Sequence, residues 1–245
     1  MKEKHISTYI TSIFLLLSLT LIAQETAKDS LGYQQRYGLR IGIDLSKPIR
    51  SFLNDNYRGL ELMGDYRLTQ RHYIAAEIGT EENTIEDEYI SFSSKGNYLK
   101  VGFDYNTYEN WYGMENMIFA GARYGFGTFN QTLNSYSIYN QNHYWQEDQS
   151  SGRNPDLLKE YSGLTAHWLE VVVGLKAELF NNLYLGASLR LNYLVTDSSS
   201  DAFPALWIPG FNKVTDDSKF GVGFNYGLTY FLPLYKKSKK SEIKD

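Results

Sequence analysis

The chain contains no cysteine. That excludes disulfides, thiolate metal sites, a cysteine nucleophile and the acylated cysteine of a lipoprotein. It also lacks a long apolar run: the one such stretch, residues 10–22, is shorter than the roughly 20 residues a spanning helix needs. A mature chain embedded in a bilayer could then cross it only as a closed barrel. Charge of one sign is scarce too, with a formal net of -4 and no Lys/Arg stripe interleaved with aromatics, which argues against nucleic acid as a partner. Helical spacing is sustained nowhere after the first apolar stretch.

What the 245 residues do have is aromatic content of 16%, with 21 Tyr, and 20 Gly. The mean hydropathy of -0.41 is that of a soluble protein. A barrel strand, however, hides its apolar residues at every second position, so average hydropathy does not report it. The pattern is clearest in residues 167–195. Leu169, Val171, Val173, Leu175, Ala177 and Leu179 share one face against Glu170, Gly174, Lys176 and Glu178. After Phe180-Asn181-Asn182, the residues Leu185, Ala187, Leu189, Leu191, Tyr193 and Val195 oppose Gly186, Ser188, Arg190 and Asn192. These are two strands of a hairpin with one apolar and one polar wall.

Similar alternation predicts strands near residues 37–45, 57–68, 73–80, 97–106, 116–129 and 220–232, about eight in all. A further hairpin around residues 136–144 would raise the count to ten. Pro48 interrupts the first ladder, so residues 46–56 are expected as a loop, and residues 81–95 as an acidic loop. Connections alternate long and short, as in outer-membrane barrels with short periplasmic turns and long external loops. The expected division is a signal peptide over 1–23, with Lys2 and Lys4 ahead of the apolar core. A periplasmic lead over 24–36, the barrel over 37–235 and a basic periplasmic tail over 236–245 follow. Two aromatic girdles are expected. Tyr108, Trp111, Tyr112, Phe180, Tyr184, Phe231 and Tyr235 would form the turn-side one, and Tyr57, Phe129, Trp168 and Phe220 the loop-side one.

Alternation alone leaves two orientations. A soluble lipocalin-like carrier would turn its apolar rows inward around a ligand. One-sided loop lengths, aromatic rims and a glycine-rich charged face favour the reverse, an antiparallel up-and-down transmembrane β-barrel. Its interior would then hold Arg40, Arg67, Lys100, Arg123, Lys176 and Arg190 with Asp44, Glu61, Asp65, Glu77, Asp104, Glu170 and Glu178. In an eight-stranded barrel such side chains fill the lumen, so they are expected to pair as a network.

Chemical signals are thinner. His72, His143 and His167 are the mature chain's candidates for acid/base work, and Ser162 and Thr165 lie near His167, but spacing fixes no triad. An interfacial imidazole is the simpler expectation. Glu81, Glu82, Glu86, Asp87 and Glu88 lack EF-hand spacing and read as a solvated acidic loop. Phe203, Leu206, Trp207, Ile208 and Phe211 form an apolar loop patch: either a contact site for a partner or, as we favour, a segment packed over the barrel mouth. Tyr136, Tyr139, Tyr144 and Trp145 could pack with it or bind protein or glycan.

Three segments, YGLRIGIDLSKP at 37–48, WYGMENMIFAGARYGFGTFNQTLNSYSIY at 111–139 and residues 164–191, carry a resemblance. They are similar to an uncharacterised family of outer-membrane β-barrel proteins of Bacteroidota, a domain of unknown function. The architecture resembles OmpA- and OmpX-type small barrels. The resemblance implies an outer-membrane location in a Gram-negative envelope, lipid and the barrel assembly machinery as partners, and no assigned activity. A monomer without catalytic residues, metal or cofactor is expected, a scaffold presenting loops for binding, adhesion or envelope integrity. A lipid-modifying barrel enzyme and a narrow pore are the alternatives. Such barrels often end on an aromatic residue, whereas Tyr230, Phe231 and Leu232 here precede a basic tail.

Overall fold

Alternation along a strand becomes sidedness once neighbouring strands pair, because residues two apart then line one wall. The computed structural model describes residues 34–109, 115–136, 155–199, 203–213 and 219–238. The expected signal peptide, most of the lead, the end of the basic tail, Trp111, Tyr112, His143 and the hairpin expected near 136–144 fall largely outside them.

Eight long strands form the wall. They are β1 (Gln34–Asp44), β2 (Tyr57–Arg67), β3 (His72–Glu86), β4 (Ile90–Asn106), β5 (Met117–Tyr136), β6 (Glu160–Phe180), β7 (Leu183–Asp197) and β10 (Phe220–Ser238). Each pairs antiparallel with the next along the chain, and β1 pairs with β10 to close the barrel. Between β7 and β10 the chain makes a two-residue ladder, β8 (Trp207–Ile208) with β9 (Asn212–Lys213).

The tightest connection is residues 181–182, where Asn182 has φ 65°. Asn tolerates this left-handed conformation because its short polar side chain bonds locally. Here the Asn182 N–H donates to Glu178 Oε1 at 2.9 Å, and its Oδ1 accepts from Arg36 at 2.8 Å.

Ile41, Leu62, Ile78, Leu99, Val173, Leu189 and Phe224 are exposed on the outside, while Arg40, Glu61, Glu77, Lys100, Glu170 and Arg190 are buried within. This is the reverse of a ligand carrier with an apolar cavity. No helix among the described residues is long and apolar enough to cross a membrane.

The structure corrects several boundaries. Residues 46–56 are not simply a loop: Ser46–Leu53 form α1, with Pro48 in its first turn, where a missing N–H breaks no intrahelical bond. The supposed acidic loop is a strand hairpin, since β3 runs to Glu86, β4 begins at Ile90, and the register continues to Glu86↔Ser91. Its alternation persists, with Glu81 and Asn83 inward. At the seam, Arg36 pairs with Lys236 and Gln35 with Lys237, so part of the expected lead and of the expected tail belongs to the wall.

Several aromatics expected in the girdles do not face outward. Tyr57, Phe129, Trp168, Tyr184 and Phe231 point into the lumen. Position near a strand end was read without its parity, and parity decides the side. Exposed aromatics are Tyr105, Tyr108, Phe180, Tyr230 and Tyr235 toward the turn side, and Tyr124, Phe126, Tyr193 and Phe220 toward the loop side.

Candidate functional site

The lumen is where this chain concentrates its polar side chains, and strand parity delivers them there. At the turn end Arg36 meets Glu115 at 3.4 Å and Glu178 at 3.6 Å, while Arg67 reaches Glu115 at 3.5 Å. Asp65 takes Arg40 at 2.7 Å and Lys176 at 2.5 Å. Arg123 binds Asp104 at 2.7 Å and Glu77 at 3.4 Å.

The centre is a shared cluster. Arg190 contacts Glu77 at 2.5 Å, Glu170 at 3.3 Å and Glu61 at 3.8 Å. Lys100 faces the same three carboxylates at 3.8, 3.1 and 3.6 Å. With two cations among three carboxylates, every charge keeps a partner even if one contact opens. That arrangement offsets the desolvation that would make an isolated buried charge costly. Asp44 stays buried by accepting the Ser46 N–H at 2.8 Å. A cavity of ≈ 40 Å³ beside Asp65, Ser188, Arg190, Asn225 and Thr229 is the size of an ordered water site, not a conduit.

Toward the loop end the filling changes character. The chain between β7 and β10 folds back into the mouth, burying Phe203, Ala205, Trp207, Ile208 and Phe211. Ile208 and Phe211 pack with Tyr98, Phe129, Ala166, Trp168 and Leu194. Phe203 and Trp207 pack with Tyr57, Phe92 and Leu133, with Leu206 partly buried against them. The patch considered as a partner contact is therefore occupied by its own barrel, and Leu206 is its least buried member. Strand residues hold the plug by its backbone: Gln131 donates to the Pro204 carbonyl and Asn192 to the Phe211 carbonyl, both at 3.1 Å. Gly210 has φ 81° and lies against the Tyr98 ring, so an added Cβ would fall 2.6 Å from that ring.

The hinge between the two fillings is Glu81. It accepts from Tyr57 OH and from the Gly210 N–H, each at 2.7 Å, and pairs with Lys47 of α1. Burial acts to lower the Lys47 pKa, but Glu81 and then Glu61 outweigh it and hold the ammonium above its ordinary range. One turn deeper, Tyr98 OH donates to Glu61 Oε2 at 2.6 Å and Trp168 Nε1 to Glu170 Oε1 at 2.7 Å, tying the plug's aromatic floor to the charge cluster.

Of the thirteen residues expected inside, Arg40, Glu61, Asp65, Arg67, Glu77, Lys100, Asp104, Arg123, Glu170, Lys176, Glu178 and Arg190 take part in these ion pairs, while Asp44 is buried beside them on the Ser46 N–H. Arg36, Lys47, Glu81 and Glu115 join them without having been anticipated. Arg36 and Glu115 sit beyond the expected strand ends, and Lys47 comes from a helix, where period-two alternation gives no signal. Glu81 carried the right parity but was assigned to a loop.

Among the described residues, His72 and His167 form no comparable cluster. His167 Nδ1 lies 2.7 Å from Tyr124 OH, and its ring packs on Phe126. Thr165 bonds Ser198 instead. His72 Nδ1 is 2.8 Å from Thr69 Oγ1 in a turn. Among the described residues no group of three or more His, Asp or Glu is arranged to hold a metal.

A model for a domain of unknown function, DUF6048, matches residues 6–237 of the chain. Among curated proteins none matches. The solved structure of Ail, the attachment invasion locus protein of Yersinia pestis, is similar at 12% identity and a TM-score of 0.38, covering 82% of this chain and 99% of that one. CarO of Acinetobacter baumannii is similar at 11% identity and a TM-score of 0.38, covering 81% of this chain and 98% of that one.

Proposed function

The chain belongs to the DUF6048 family, a domain of unknown function, and on that premise we propose that it is a non-enzymatic outer-membrane barrel whose loop-side wall is a binding scaffold. The observation that carries this reading is the sorting of the two walls. Apolar rows such as Ile78, Leu99, Val173 and Leu189 face outward around the whole ring, and every inward row is charged, glycine-rich or aromatic. Water offers no reason to expose those rows, whereas hydrocarbon does.

Both the central charge cluster and the loop-side plug block the lumen, which disfavours a pore. Beyond the apolar belt the wall continues: β3 runs from Ile78 to Glu86, and β5 from Phe126 to Tyr136. These extensions make a polar rim around the loop-side mouth, with the β3–β4 hairpin at its edge and the β7–β10 connection packed inside it. A rim held at fixed geometry is suited to recognition of a protein or glycan by loops.

The test is heat-modifiable migration of the detergent-extracted membrane fraction, combined with planar-bilayer recording. A folded band that shifts on boiling, with no conductance steps, is expected. A soluble band that does not shift would overturn the membrane reading, and steady conductance would replace the scaffold with a pore. Lipid turnover that survives in the wild type and vanishes on changing His167→Ala would replace it with an enzyme.

A further inference from the structure

We infer that the outward face of α1 is a lipid-docking surface seated at the loop-side edge of the bilayer, an inference that rests on the membrane reading above. The helix has two chemically distinct sides. At 100° per residue, Lys47, Arg50 and Ser51 fall on one side, and Ile49, Phe52 and Leu53 on the other. The first side faces the barrel. Lys47 reaches Glu81 and Glu61 inside the mouth, Arg50 stacks 4.0 Å over the Tyr57 ring, and Ser51 Oγ accepts the Gly59 N–H at 2.9 Å. The second side is open among the described residues: Phe52 is 94% exposed and Leu53 82%, with Ile49 at its margin 43% exposed.

Its height on the barrel is fixed by that Ser51–Gly59 bond. β1 ends at Asp44, so Gly59 of β2 has no strand on its β1 side, and α1 takes the vacated edge. Gly59 lies in register with Glu81, next to the outward Leu60 opposite Thr80. One residue further out the same outer surface turns charged, with Arg58 opposite Glu82 and Lys95 opposite Glu82 on the next ladder. Phe52 and Leu53 are thus placed where apolar wall gives way to polar rim, continuous with Leu60 and Leu62 below them. An apolar helix face at that level matches the acyl and headgroup boundary, where amphipathic helices insert. Lys47 acts as the pin that keeps the helix turned so that this face stays outward.

The absence of cysteine makes the test direct. Single substitutions Phe52→Cys, Leu53→Cys, Phe224→Cys and Glu88→Cys are labelled with bimane in the full chain, inserted into phosphatidylcholine vesicles carrying a lipid spin-labelled near its headgroup. Phe224 stands for the belt and Glu88 for the exposed hairpin tip. We expect labels at 52 and 53 to lose fluorescence to a degree comparable with 224, and the label at 88 to keep it. Quenching at 224 with labels at 52 and 53 as bright as at 88 would overturn the helix inference while leaving the membrane reading intact. Loss of quenching at 224 as well would sink the membrane reading itself. Quenching at 52 only by a second spin-labelled copy of the chain would assign the face to self-association and likewise overturn the inference.

Discussion

Near Arg190 the lumen is filled by side chains from five strands, β2, β3, β4, β6 and β7, each giving one charged residue at an inward position. Near Trp207 it is filled by one connection that doubles back, and the strands give only the aromatic cup around it. The first filling is distributed, so no single segment can leave without stranding charges on the others. The second is modular: a loop held through three backbone groups, the Pro204 and Phe211 carbonyls and the Gly210 N–H, and by shape. Stability should therefore reside in the centre and adjustability at the mouth.

Replacing the central cation should break the comparison most severely. Arg190→Met leaves Glu170 with Lys100, Glu77 with Lys100 and Arg123, and Glu61 with Lys100 and Lys47, and removal of one partner of a buried ionic cluster costs about 3–5 kcal/mol. Urea unfolding from vesicles, followed by the gel shift of the folded band, checks this. A loss below about 1 kcal/mol would show that the cluster is a passive filler.

Gly210→Ala should strike the mouth alone. The added methyl meets the Tyr98 ring at an unfavourable φ, a cost of about 1–3 kcal/mol borne by the plug. The expected result is faster protease cleavage between residues 203 and 211 with the barrel's unfolding midpoint nearly unchanged. A matching fall in the midpoint would mean the two fillings unfold as one.

Glu81→Gln sharpens the boundary between them. The Lys47 pKa is raised in the folded barrel, so its contribution to stability is complete below the ordinary lysine value and drains away as pH climbs past it. The wild type should lose stability on entering that alkaline range. The Gln variant, with no carboxylate to hold the ammonium, should lose less over the same range, while its one amide oxygen can still accept from the Gly210 N–H. Parallel alkaline titrations of the two unfolding midpoints give the answer.

Asn182→Ala should be the mildest of the four. It removes the left-handed tolerance and the bond to Arg36 at the turn end, about 0.5–2 kcal/mol with neither filling displaced. Thermal gel-shift midpoints report it.

These two fillings also differ in how far they could be read from residue order. Arg190, Glu170 and Lys176 follow from alternation because a strand has only two sides, and one apolar neighbour settles the parity of the rest. Trp168 and Tyr184 obeyed the same parity, yet the habit of placing aromatics at membrane rims drew them outward. Lys47 and the depth at which Phe211 sits lay beyond reach for another reason. A helix and a doubled-back loop are positioned by contacts far apart in sequence, such as Gly210 with Glu81, and no local period records such a meeting. The favoured reading of residues 203–211 rested on hydrophobicity alone and supplied no depth, partner or register.

The seam between β1 and β10 joins the two ends of the wall, Gln34 opposite Ser238 and Ile43 opposite Leu228. The other seven ladders link successive wall strands and can zip up as soon as each hairpin meets. Closing the seam must first meet the loop entropy of nearly the entire chain, so it is the slow event and has the highest contact order. A chain that stops short of β10 is then not a smaller barrel. It is a seven-stranded sheet with bare edges at β1 and β7, two rows of unpaired amides that hydrocarbon cannot solvate.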